Sequence, residues 1–233
     1  MKTKEAHSII LNNLYKKYEE LESDRKEFTW DGPSDWEIWT SSVPKIVFLL
    51  KESRQGFHPS KIDQPNETKF SKNLSRWSFA ISNLFSKNLT VDFPDDDLLP
   101  DTMNHLCIVE VKKLNEEKPK SDPSEILEYA KNDKEFLKQQ IDILEPDIVV
   151  CCGNIDWYDT IYEGNYEFEE KLSVIDNKSC WLVDNRLVID FVHPTTWQPW
   201  IDPNERDYQL FDTLVRLLSE ENVQNHILQL KIN

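Results

Sequence analysis

Only four of the 233 residues are glycine, against about 7% in an average protein. Neither GxGxxG nor a P-loop pattern occurs, which excludes the Gly-rich phosphate loops. The four cysteines include no CxxC pair, so neither a structural zinc nor an iron–sulfur cluster is expected, and the chain needs no metal or cofactor. Cys107, Cys151 and Cys152 lie in apolar runs and Cys180 adjoins Trp181, the pattern of buried, reduced thiols. No apolar run approaches the roughly 18 residues of a membrane span; the longest, residues 46–50 and 148–152, are strand-sized. Residues 1–5 lack the charged-then-apolar pattern of a signal peptide, so a cytoplasmic, membrane-free monomer is expected. Positive charge is also scarce: 27 bases face 43 acids, a net of −16, which argues against a protein that coats nucleic acid.

What is present is enough for a core. Apolar residues make up 39% and charged residues 30%, consistent with one α/β domain over residues 1–233, with residues 1–44 as an N-terminal helical extension. Eight tryptophans serve either a core or a site that stacks planar ligands. Charge is uneven. Residues 45–91 carry eight bases and three acids, a net of +5, whereas residues 92–233 carry a net of −18.

Residues 4–23 space Ile10, Leu14, Tyr18 and Leu21 as an amphipathic helix does. Residues 45–52, 106–111 and 148–152 are continuous apolar runs of the kind buried parallel strands make. Between them, residues 67–87 carry Phe70, Leu74, Trp77, Ile81 and Leu84 on one stripe. Asp122-Pro123-Ser124-Glu125 starts a second helix, with an Asp cap and a Glu reaching back, that runs to about Leu144. Residues 155–178 read as loops and a short amphipathic piece. Asp184-Asn185-Arg186 joins residues 181–183 and 187–192 as a hairpin. Asp202-Pro203-Asn204-Glu205 repeats the cap and opens a C-terminal helix. Strands alternating with helices imply a three-layer α/β/α fold around a mostly parallel, four-stranded sheet. Ligands in such sheets bind at the carboxyl ends of the strands. That selects Lys51, Glu52 and Arg54, then Glu110, Lys112 and Lys113, then Asn154, and last His193 and Thr195.

Glu52 and His193 each leave a buried strand toward one edge. A carboxylate can activate a water and a histidine can donate to a developing anion. The competing readings are a Glu52 paired with Lys51 or Arg54 and a His193 satisfied within a turn.

The order of these segments resembles the uracil-DNA glycosylase superfamily. Residues 47–55 (VFLLKESRQ) look like its first motif in the GEAPG version, with Glu52 at the acidic position. Residues 106–113 (LCIVEVKK) look like the strand that carries a base-reading Asn and then a lysine. Residues 140–154 look like its helix, proline, apolar strand and small-Gly segment, and residues 192–195 look like its HPS motif. Lys51 replaces the first Gly, Arg54-Gln55 replaces Pro-Gly, Glu110 stands at the Asn and Thr195 replaces the Ser.

The resemblance implies a DNA glycosylase that flips a damaged or modified base into a pocket and hydrolyses its N-glycosidic bond through an oxocarbenium-like state, in repair or in defence against phage DNA. By position Glu52 orients the water, His193 binds the leaving base, and Phe57 or Phe70 stacks on it. Arg54 and Asn154 are further substrate contacts. An ionised Glu110 can only accept hydrogen bonds, which would suit an amino-bearing base such as a modified cytosine; the alternative is a salt bridge to Lys112 or Lys113. Lys51, Arg54, Lys61, Lys69, Lys72, Arg76, Lys112 and Lys113 could form a phosphate strip, with Thr195, Thr196 and Trp197 entering the DNA groove. Trp197 can equally pack on Pro194 and Pro199. Two other classes stay open: a catalytically silent module of the same fold that binds a nucleotide or protein, and a hydrolase of free nucleosides or nucleotides.

Overall fold

A computed structural model describes residues 2–21, 28–52, 68–86, 91–114, 121–153, 155–163, 170–196 and 203–230. In chain order these form α1 (Lys2–Leu21), β1 (Gly32–Pro33), α2 (Trp36–Ser41), β2 (Ile46–Glu52), α3 (Lys69–Phe85), α4 (Leu99–Met103), β3 (Cys107–Lys112), α5 (Pro123–Asn132), α6 (Lys134–Leu144), β4 (Ile148–Cys152), α7 (Asp156–Ile161), β5 (Glu170–Ile175), β6 (Lys178–Val183), β7 (Arg186–Phe191), α8 (Pro203–Ser219) and α9 (Glu221–Leu230). None of these helices is long and apolar enough to cross a membrane.

The apolar runs become the centre of the sheet because both of their faces are covered. Phe48, Leu50, Ile108, Val150 and Ile189 pack with Leu74 and Trp77 of α3 and Leu214 of α8. The alternate residues Val47, Leu49, Val109, Val149 and Val188 pack with Ile126 of α5, Leu137 and Ile141 of α6, and Tyr158 of α7. Helices therefore cover both faces, and the α/β class holds. The sheet, however, has seven strands rather than four, in the order β1-β3-β2-β4-β7-β6-β5. The expected four are its parallel centre, β3, β2, β4 and β7. β1 joins one edge antiparallel through only two residue pairs. β5 extends the other edge through a second hairpin, turning at Asp176 and Asn177 with positive φ, as Asp184 and Asn185 do between β6 and β7.

The helix expected over residues 122–144 is two. Asp133 interrupts it because its buried carboxylate takes Lys17 Nζ at 2.5 Å and the Tyr18 hydroxyl, both from α1. The Asp122 cap is as expected, accepting the Ser124 N–H at 2.9 Å. Glu125, in the first turn, bonds Lys112 at 2.8 Å.

Numbered along the chain, the parallel strands run second, first, third, fourth across the sheet. The order reverses between β2 and β4, and that switch point is where open α/β sheets leave a crevice for a ligand.

Candidate functional site at the carboxyl edge of the sheet

Glu52 is the last residue of β2, in register with Lys112 at the end of β3. It follows Ile46, Phe48 and Leu50, which pack toward α3, in the alternation of the strand. His193 follows β7 by two residues, and its ring lies 6.0 Å from that of Phe70 near the start of α3. Both therefore open on the same edge of the sheet, His193 beside α3 and the partners of Glu52 toward α5. β4 alone separates their strands, so two strand spacings, about 10 Å, lie between the two backbones.

The turn after β7 is held from three directions. Asn73, buried in α3, donates from Nδ2 to the Pro194 carbonyl at 2.7 Å. The Thr196 N–H donates to the His193 carbonyl at 2.8 Å. Gly153, at the end of β4, donates its N–H to the Phe191 carbonyl at 2.9 Å with φ of +124°, which a side chain would strain. The Thr195 N–H reaches His193 Nδ1 at 3.3 Å and the Thr195 hydroxyl lies 2.9 Å from the same nitrogen. Nδ1 is thereby an acceptor, which leaves the ring proton on Nε2, the arrangement needed to donate to a leaving anion.

Glu52 is buried among polar partners. The Ser121 hydroxyl donates to Oε1, and Lys112 Nζ lies 3.6 Å from Oε2. Lys112 also meets Glu125 and the Tyr129 ring. Lys112, from the neighbouring strand, is thus one partner of Glu52.

Glu110 lies across from Leu50 in the strand register. Its carboxyl is buried, and Oε2 has no hydrogen-bond partner among the described residues. Burial, and next the Asp31 carboxylate, push its pKa up to about 8. At neutral pH the protonated form predominates, so the expectation of an ionised, acceptor-only Glu110 is corrected. A neutral carboxyl offers one donor and one acceptor, as an Asn amide does. It can pair with the imide edge of uracil or the amino edge of cytosine.

The expected phosphate strip changes most. Lys112 and Lys113 have no exposure; Lys113 is tied to Asp31. Neither can meet a phosphate from outside while these contacts stand. Lys69, Lys72 and Arg76 do lie together on α3, paired with Asp207 at 3.0 Å, Asp96 at 2.7 Å and Asp96 at 2.9 Å respectively. Lys51 is half-buried, Thr195 exposed and Thr196 half-buried on the His193 turn. Arg54, Phe57, Lys61, Asn154 and Trp197 lie outside the described residues. Among the described residues, no three His, Cys, Asp or Glu side chains gather as a metal would require.

Two positioning residues escaped the sequence reading. Ser121 carries no signal beyond standing before a helix cap. Asn73 did carry one: an amide on the buried stripe of a helix must find a partner. A scan against models of known families finds no match for this chain, and a search of curated proteins finds none.

Proposed function

We propose that the protein is a base-excising N-glycosyl hydrolase of the uracil-DNA glycosylase kind. The observation that carries this reading is that Glu52 and His193 stand at the carboxyl ends of β2 and β7 on one edge of the sheet, across the switch point between β2 and β4. Glu52, held by Ser121 and Lys112, orients a water and offsets positive charge on the sugar. His193, with its proton on Nε2, donates to the base as it leaves with the bonding electrons. Phe70 supplies a ring beside it, and a protonated Glu110 reads the base edge. A modified base, including a modified cytosine, remains the substrate class of choice, in DNA repair or phage defence.

One observation favours a second reading. Both Glu52 oxygens already face partners inside the protein, as they would in a fold that binds a nucleotide without cleaving it. The deciding experiment is mass spectrometry of bases released from DNA containing uracil, deaminated purines and modified cytosines. Glu52→Gln and His193→Ala should each slow release by about 10²-fold or more. Binding without release supports the silent module. Release from monomers as readily as from DNA supports a nucleoside or nucleotide hydrolase.

A further inference from the structure

The carboxyl edge continues beyond His193. β6 runs antiparallel to β7, with Ser179 opposite Asp190, so Lys178 stands beside the end of β7. There the Asp176-Asn177 turn, Val192 and α8 enclose a cleft of about 450 Å³, with Arg206, Tyr208, Asp212 and Arg216 among its lining. The cleft thus begins one residue before the proposed catalytic histidine.

Arg206 is only 2% exposed, although it lines the cleft. Its Nε and Nη2 donate to Asp207 Oδ1 at 3.3 and 3.0 Å. Among the described residues no acceptor meets Nη1. Asp207 is itself shared, with Lys69 at 3.0 Å and Arg76 at 3.9 Å. Arg76 and Lys72 divide Asp96 between them. Lys69, Lys72, Arg76 and Arg206 thus share Asp96 and Asp207 next to the cleft, whose own lining sets Lys178, Arg206 and Arg216 against Asp176 and Asp212. On the rim, Arg216 lies 3.3 Å from Asp176 and 3.8 Å from Asp212, and Lys178 adds a further cation.

A guanidinium nearly removed from water, with one edge lacking an acceptor, favours an anion that can supply one. Planar N–H groups suit phosphate oxygens best. Tyr208, 55% exposed at the cleft, presents a ring on which a base can stack. We propose that this cleft binds the phosphate of a nucleotide. Arg206 takes one oxygen from below, Lys178 and Arg216 take others from the rim, and Tyr208 stacks the attached base. Asp176 and Asp212 compete for Arg216, so bare phosphate binds weakly and the stacked base adds affinity. The phosphate belongs either to a free nucleotide or to a nucleic-acid strand. The site does not depend on the excision chemistry, because binding here requires neither Glu52 nor His193.

The test is a titration of the whole chain, at constant ionic strength, with inorganic phosphate, a deoxynucleoside 5′-monophosphate and a short single-stranded oligodeoxynucleotide. Backbone amide shifts of residues 176–178 and 206–216 are the readout. All three probes should move those amides, the mononucleotide at lower concentration than phosphate. Tyr208→Ala should remove most of the advantage of the mononucleotide and leave phosphate binding unchanged. Arg206→Gln should weaken all three about tenfold or more. Should that variant not fold, the rim pair Lys178→Gln with Arg216→Gln provides the same comparison on exposed side chains. Tighter binding of the oligonucleotide, with steep salt dependence, assigns the phosphate to a strand; a mononucleotide that binds as well assigns it to a free nucleotide. Unmoved amides, or shifts identical in the rim variant, overturn the proposal.

Discussion

Lys112 and Lys113 are adjacent and equally buried, yet they belong to regions of opposite character. Lys113 faces one carboxylate, Asp31, on the β1 side of the sheet. That carboxylate also accepts the Glu110 N–H at 2.5 Å and Gln140 Nε2 at 2.7 Å, and Gln140 contacts His7 at 3.0 Å. Every partner there is buried. Lys112 lies between Glu52 and Glu125, the latter 27% exposed at its side chain. One region is a closed ionic knot. The other is a chain of charges that leads from the core to the surface at the carboxyl edge. The contrast separates groups that hold the fold from groups available for chemistry.

The largest effect should come from opening the closed knot. Lys113→Met strands the Asp31 charge in the interior and should cost about 3–5 kcal/mol in urea unfolding. Lys112→Met leaves Glu125 to water and Glu52 to Ser121; its stability loss should be smaller, about 1–3 kcal/mol, and its main effect should fall on function at the edge. Equal losses would erase the distinction between the regions.

Glu110 lies between the two. Its raised pKa means that the folded state holds a proton the unfolded state has released, so its contribution is complete in acid and fades as pH rises through about 8. Wild-type stability should therefore decline from pH 5 to pH 8 by a few kcal/mol relative to Glu110→Gln, which mimics the neutral acid. Parallel pH profiles would place Glu110 outside the buried set.

Glycine offers a smaller version of the comparison. A Cβ at Gly32 would sit 2.7 Å from His7 Cε1, with φ at +126°. At Gly153, beside His193, φ is +124° but the nearest atom is 3.7 Å away. Gly32→Ala should cost about 1–3 kcal/mol and Gly153→Ala about 1 kcal/mol, by thermal unfolding. Smallest of all, Lys72→Gln breaks a half-exposed pair with Asp96 and should cost less than about 1 kcal/mol.

Several of these elements were legible before the structure. The strands of the parallel centre announced themselves because a strand covered on both faces must be apolar throughout. The Asp122 cap and the Asp184-Asn185 turn were local chemistry, readable at the residues concerned. By the same logic β5 was readable: Asp176-Asn177 is the same turn dipeptide, with Leu172 and Ser173 buried before it, but the alternation in KLSVI is too weak to stand out. The break at Asp133 was not readable, because its cause is Lys17 and Tyr18 on another helix. Nor was the burial of Lys112 and Lys113. Lysine is almost never fully buried unless paired, and the acids that pair them are distant in the chain.

By itself, the order of residues determined the alternation of strand and helix, the turn positions and which residues arrive at the carboxyl ends of the strands, because apolar periodicity and backbone capping act over a few residues. Only the tertiary structure decided that Glu52 is locked to Lys112 and Ser121, that Glu110 keeps its proton, and that Arg206 overlooks a cleft beside His193. Those outcomes depend on desolvation and on charges brought together across the fold, and both are properties of distance in space rather than along the chain.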